Sequence, residues 1–194
     1  MDVHQISIRY DADQDRVLVS VNTHTHEEIQ LWLTRRLLVG LWPLLNRIMV
    51  DHFALPPGAK TDGFVSLEAM SAANRQHLAH FQRESALAET NFGVPYRRTA
   101  LHRPMGQTPL LVSEVNLTPR EGAHLQLHFK EQVQGSQRSF QMDLRAELLY
   151  GVIELLGQAL QQSQWMPGST TEPTVVVETR HAEPDEDERP RYLN

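Results

Sequence analysis

Gln30–Leu45 reads QLWLTRRLLVGLWPLL, and Gln141–Leu156, 111 residues further on, reads QMDLRAELLYGVIELL. Seven of the sixteen positions are identical without a gap: Gln30/Gln141, Leu33/Leu144, Leu37/Leu148, Leu38/Leu149, Gly40/Gly151, Leu44/Leu155 and Leu45/Leu156. The Leu matches inside the helical pattern owe something to shared periodicity. The glycine pair does not, since glycine costs about 1 kcal/mol in a helix interior. In each copy apolar residues recur at every second position (Leu31 and Leu33, Met142 and Leu144) and the pattern then changes to a helical period. Each therefore reads as a strand running into a helix.

Working backward from the first copy, Val17, Val19 and Val21 recur at every second position, and Ile6, Ile8 and Tyr10 alternate with polar residues. These are two more strands, joined at the Asp11–Asp15 turn cluster. Ile29, Leu31 and Leu33 form the third strand. Thr34 stands where an N-cap belongs, because its hydroxyl can accept from an orphan N–H of the first turn. The helix that follows should turn Leu37, Leu38, Leu41, Leu44, Leu45 and Ile48 inward, with a kink or break at Pro43.

The second copy has the same preface. Leu110–Leu117 is strand-like, Leu125, Leu127 and Phe129 alternate, and Phe140, Met142 and Leu144 lead into a helix from Arg145 to Trp165. Between the copies, Ser66 is placed to cap a long helix with an apolar stripe of Leu67, Met70, Asn74, Leu78, Phe81, Ser85 and Ala88. The expected fold is α+β: internally duplicated βββα halves with largely antiparallel sheet. Half one covers about 1–53, a connecting helix 66–90 and half two about 108–166. One globular domain, 1–168, shares a core, because one βββα unit alone buries little. Gly40 and Gly151 would allow close approach of the two helices, or of a helix and the sheet.

Residues 169–194 have a different character. TVVVET (Thr174–Thr179) is β-prone, and Glu183–Asn194 carries five acids and two arginines, half of the net charge of −6. This composition predicts a mobile acidic tail. Tyr192 and Leu193 would be docking anchors on that tether.

The chemistry suggested is mostly negative. There is no cysteine, which removes disulfides and thiolate chemistry. No leader-like N-terminus or membrane-length apolar run is present, so a cytoplasmic protein is expected. The charge balance disfavours nucleic acid. No nucleophile elbow, phosphate loop or dinucleotide motif occurs, so neither an enzyme nor a cofactor is expected. His24-x-His26 beside Glu27 and Glu28 reads as a polar turn rather than a metal site. His77 and His80, followed by Glu84, lack the H-E-x-x-H pattern. His124 and His128 fall on the polar face of their strand.

Two functional readings remain. The first is a non-enzymatic interaction or adaptor protein whose partner is another protein. It would use an apolar groove or sheet face around Trp32, which lies opposite Leu31 and Leu33, although for the Trp32 side chain itself burial under the 67–88 helix is the first expectation and exposure as an interface anchor the second. The second is a small-anion or nucleotide-binding module using Arg35, Arg36, Arg97 and Arg98. Arg35 and Arg36 sit in the first turn of a helix, where cations oppose the dipole. An open strand edge would also permit a homodimer.

Overall fold

A computed structural model describes residues 3–53, 70–89, 96, 102–133 and 136–166. Among them are two sheets and three helices. The chain opens with strands β1 (Val3–Asp11), β2 (Arg16–Thr23) and β3 (Glu28–Thr34), followed by helix α1 (Arg35–His52). Helix α2 (Ala72–Glu89) comes next, then the two-residue β4 (Leu110–Leu111). Strands β5 (Glu114–Arg120), β6 (His124–Val133) and β7 (Ser136–Arg145) lead into helix α3 (Ala146–Ser163).

The turns form where side chains replace ladder hydrogen bonds. Asp11 Oδ1 accepts from the Gln14 N–H at 3.2 Å. Asp15 then takes a left-handed conformation at φ 49°, which Asp tolerates better than most residues. At the next turn Thr23 Oγ1 accepts from the Glu27 N–H at 3.2 Å. Sheet one is ordered β1-β2-β3-β4, antiparallel except for the parallel β3–β4 pair. Sheet two is the antiparallel meander β5-β6-β7.

The alternation read from sequence gives each sheet its core face. Val17, Val19 and Val21 stand opposite Leu33, Leu31 and Ile29. In sheet two, Leu125, Leu127 and Phe129 stand opposite Leu144, Met142 and Phe140. All twelve are buried and belong to one hydrophobic cluster with α1 and α3. The outer face of sheet two is polar. It carries the Lys130–Glu114 pair at 2.9 Å and a Gln126–Asp143 hydrogen bond.

The expected strand Leu110–Leu117 is divided. Leu110 and Leu111 pair with β3 of sheet one, and the Val112 N–H donates to the Trp32 carbonyl. The Ser113 N–H then donates to the Lys130 carbonyl, and β5 continues in sheet two. One run of backbone thus belongs first to one sheet and then to the other.

Helix α1 starts as expected, with Thr34 Oγ1 accepting from the Leu37 N–H. It continues through Pro43 to His52 without a break. Its buried residues are Leu38, Leu41, Leu45 and Met49, while Leu44 is 52% exposed. The inward assignment of Leu44 is therefore corrected. α1 rests on β3 and β5, and this contact arc is too narrow to include position 44. α3 leans on β1, β6 and β7 and is covered by α2, so nine of its residues are buried.

α2 packs mainly on α1 and α3. Its inward residues are Arg75, Leu78, Ala79, Gln82, Arg83, Ala86 and Leu87. The expected stripe is thus rotated: Asn74, Ser85 and Ala88 are exposed, and Phe81 is 63% exposed. Long polar side chains lie against the helices instead, and Arg83 bonds to Glu154 of α3. The expected cap at Ser66 lies outside the described residues, and the described helix is capped by Ser71 Oγ, which accepts from the Asn74 N–H at 3.2 Å.

The glycines also separate. Gly40 is exposed, and a Cβ there would meet nothing within 4 Å, whereas Gly151 is buried. Close packing occurs instead at Gly157, where a Cβ would lie 3.2 Å from the Trp42 ring. Gly40→Ala should therefore raise the unfolding free energy by about 1 kcal/mol, the difference in helix propensity. Urea unfolding measures this, and a loss of stability would show that Gly40 is already packed.

Candidate functional site

The outward side of α1 holds the most unusual residue choices in the described chain. Val39, Gly40, Pro43 and Leu44 are all exposed, with exposed Arg36 one turn before them and exposed Arg47 one turn after. In a helix interior glycine costs about 1 kcal/mol and proline about 3 kcal/mol relative to alanine. Pro43 also supplies no N–H to the Val39 carbonyl four residues back. Nothing within 4 Å requires Gly40 to lack a side chain. The helix is weakened on a side where no described part of the chain makes use of the weakening. Val39, 37% exposed, and Leu44, 52% exposed, flank this Gly–Pro track as an apolar ridge.

Trp32 lies elsewhere. It is half-buried on the outer face of sheet one, with Leu18 and Leu111 as cross-strand neighbours. The expected cover by α2 is not found, because α2 lies mainly against the helices rather than on this face. Leu18, Ser20, Asn22 and Glu28 share that face and are buried. Among the described residues, Tyr96 and Arg103 are bonded there. Tyr96 Oη donates to Asn22 Oδ1 at 2.8 Å and lies 3.1 Å from Glu28 Oε1. Arg103 donates through Nε and Nη2 to Glu28 Oε2, at 2.9 and 2.7 Å.

Arg35 and Arg36 are both exposed at the start of α1. Arg35 is close enough to Asp15 to help hold its carboxyl below the ordinary range, though the hydrogen bonds from Tyr10 and Trp165 contribute more. Neither arginine lines the cleft between α1 and α2. Arg97, Arg98, Tyr192, Leu193 and the 169–194 segment lie outside the described residues.

The histidines are dispersed. His24 and His26 are exposed in their turn, and His24 packs its ring on His4 with centroids 4.6 Å apart. His77 and His80 are exposed on α2. Among the described residues, no three His, Asp or Glu side chains converge as a metal set. No helix there is long and apolar enough to cross a membrane.

No protein-family model, curated protein or solved structure matches this chain. The site must therefore be read from its own geometry.

A second buried carboxylate, missed at the sequence level, ties the connector to sheet two. Glu131 is 4% exposed and accepts from the Leu111 N–H at 2.7 Å and from Arg138 Nε at 2.5 Å. Arg138 Nη1 reaches the carbonyls of Met105 and Thr108. Glu131 shares strand parity with Leu127 and Phe129, and that parity was the available signal. Both carboxylates are occupied with structural bonds. Glu28 in particular is committed to Arg103 rather than to the His24–His26 turn.

Proposed function

We propose that the protein is a non-enzymatic interaction module that docks a segment of another protein on the outward side of α1. The observation that carries this reading is the exposed Gly40–Pro43 track between Val39 and Leu44. A missing side chain lets a partner backbone approach closely, and large apolar groups on either side supply contact area. Arg36 and Arg47 lie eleven residues apart, about 16 Å along a helix. They favour a partner segment with an apolar centre and acidic flanks.

The same reading treats the two βββα stretches as copies of one unit. α1 and α3 each have 18 residues and start 111 residues apart. Aligning the helices matches Val19–Leu31 with Leu127–Met142, and Val21–Ile29 with Phe129–Phe140. On this view α3 became the enclosed copy and α1 kept a side for binding. A cytoplasmic setting accords with this role, and no cofactor is required by it.

The test is selection from a displayed peptide library with the full chain as bait, repeated with Leu44→Glu. Enrichment of apolar peptides with acidic flanks is expected, with loss of at least tenfold in affinity for the variant. Equal binding by Leu44→Glu, at an unchanged unfolding midpoint, would sink the proposal. Among the four ends of the sheet orders, the longer strands β1 and β7 offer a second copy an alternative place to pair. Light scattering that shows a concentration-dependent dimer unaffected by Leu44→Glu would point there instead.

A further inference from the structure

The outer face of sheet two is open to solvent. Every outward residue of β7 from Ser139 to Arg145 is exposed, and so are Asn116, Thr118 and Arg120 of β5. The strand register sorts the side chains of this face into cross-strand rows. In two of the rows, charged and polar groups answer one another. Glu114 meets Lys130 at 2.9 Å, and the Gln126 amide donates to Asp143 at 3.1 Å. The row at the end nearest α3 is different. There Arg120 of β5, His124 of β6 and Arg145 of β7 stand side by side. Like charges directly opposite one another on a sheet are destabilising, so this row is placed against its local preference.

The row is not neutralised from within the described chain. Asp143, Glu121 and Glu147 are near it in sequence, yet among the described residues neither Arg120 nor Arg145 is paired with a carboxylate. Arg120 Nη2 donates instead to the neutral amide oxygen of Gln126 at 2.8 Å. Arg145 is the N-cap residue of α3, but its side chain makes no capping hydrogen bond. His124 Nδ1 lies 3.3 Å from the Glu121 carbonyl oxygen, a contact that leaves Nε2 for another partner. Neighbouring strands are about 4.8 Å apart, so the two arginines flank the imidazole closely on either side.

We propose that the Arg120–His124–Arg145 row docks the phosphoryl group of a phosphorylated serine or threonine in a partner protein. Such a group brings three acceptor oxygens and close to two negative charges, and guanidinium groups meet it with paired hydrogen bonds. The exposed flanks of the row give a free small anion no enclosing wall, whereas small-ligand sites bury most of their ligand. The charge must therefore arrive on a larger partner that brings its own contact area. Nucleic acid suits this face poorly. Its outward positions hold no Phe, Tyr or Trp on which bases could stack, and the cations do not continue as a track along the sheet. A single phosphorylated side chain needs one such row. Thr118, His128 and Gln141 in the next two rows offer hydrogen bonds to the backbone of an extended peptide. The proposal rests on sheet two and does not depend on the docking role of the Val39–Leu44 ridge.

The experiment is fluorescence anisotropy of the full-length protein with short labelled peptides, degenerate around a fixed phosphoserine, phosphothreonine or unmodified serine. A labelled single-stranded oligonucleotide is the second class of probe, and O-phosphoserine is the free competitor. Saturable binding of at least one phosphopeptide pool is expected, at least tenfold tighter than the serine pool, the oligonucleotide or O-phosphoserine. Arg120→Gln and Arg145→Gln should each weaken it at least tenfold. Lys130→Gln, which removes a cation from another row of the same face, and Arg36→Gln on α1 should leave it unchanged. Unfolding midpoints show that each variant is folded. A serine pool or an oligonucleotide bound as tightly as the phosphopeptides would overturn the proposal, as would an equal loss in Lys130→Gln. O-phosphoserine competing as well as the peptides would overturn it too, since the larger partner would then add nothing. So would the absence of saturable binding by both phosphopeptide pools.

Discussion

Arg138→Leu is expected to lower the unfolding free energy by about 3 kcal/mol, the low end for breaking a buried ion pair by removing one partner. The low end applies because the Arg138 side chain is 28% exposed, although the Glu131 side chain is buried. The substitution leaves a buried carboxylate with only the Leu111 N–H as a described donor. It also removes the guanidinium from the Met105 and Thr108 carbonyls, which releases the connector. Urea unfolding of the full chain measures the loss, and a change below about 1 kcal/mol would show a pair behaving like a surface one.

The same pair gives a pH signature. Arg138, by its hydrogen bond, holds the Glu131 carboxyl below its ordinary value of 4.5 against the opposing effect of burial, with the Leu111 N–H assisting. A carboxylate depressed in the folded state stabilises the fold above its unfolded pKa. That contribution fades as pH falls below 4.5 through the lowered folded value. The native chain should lose this contribution in acid. Arg138→Leu should show a flatter acid limb, since its stabilising contribution is already absent at neutral pH.

Gly157→Leu should cost about 2 kcal/mol, within the usual range for overpacking a core contact. Even the first carbon of the new side chain would lie 3.2 Å from the Trp42 ring. Trp42→Ala should be destabilising by itself, because it removes a half-buried indole that packs against the core. The double variant should cost less than the two single losses together, by about 1 kcal/mol or more, because the leucine then occupies the vacated space. Unfolding curves of the four proteins decide this. Strict additivity would mean that the indole and Gly157 do not share a packing site.

Much of the fold was legible because its pairing is local. The hairpins of both meanders follow from apolar residues at every second position and from polar turns that are Asp-rich, Thr- and His-rich or Gly-containing, and Thr34 caps α1 as its hydroxyl and position suggest. The Leu110–Leu117 division was not legible. Whether that backbone pairs with β3 or β6 depends on partners about 80 residues upstream in one case and no more than 16 downstream in the other, and the distant partner leaves no local pattern. The α2 stripe misled because its periodicity counted Phe81 as inward. The inward side is instead built from arginines whose stems cover apolar surface and from small alanines. Gly40 and Gly151 match in sequence but differ in burial, since α3 is enclosed on several sides and α1 on fewer. The cleft between α1 and α2 combines residues from two helices whose relative placement no local pattern specifies. Arg35 and Arg36 stood out by their conflict with the helix dipole, a local signal that concerns the helix end and not what lies around it.

The strand that changes sheets at Ser113 governs how the molecule can come apart. Its first residues are bonded to β3 and its later ones to β6, with only Val112 and Ser113 between. Two residues of backbone cannot serve as a slack hinge, so pulling either meander away strains the ladder of the other. The meanders should therefore melt as one cooperative unit rather than as separate foldons. Amides of Val19 and Leu127 would then exchange through the same global opening, with equal denaturant sensitivity.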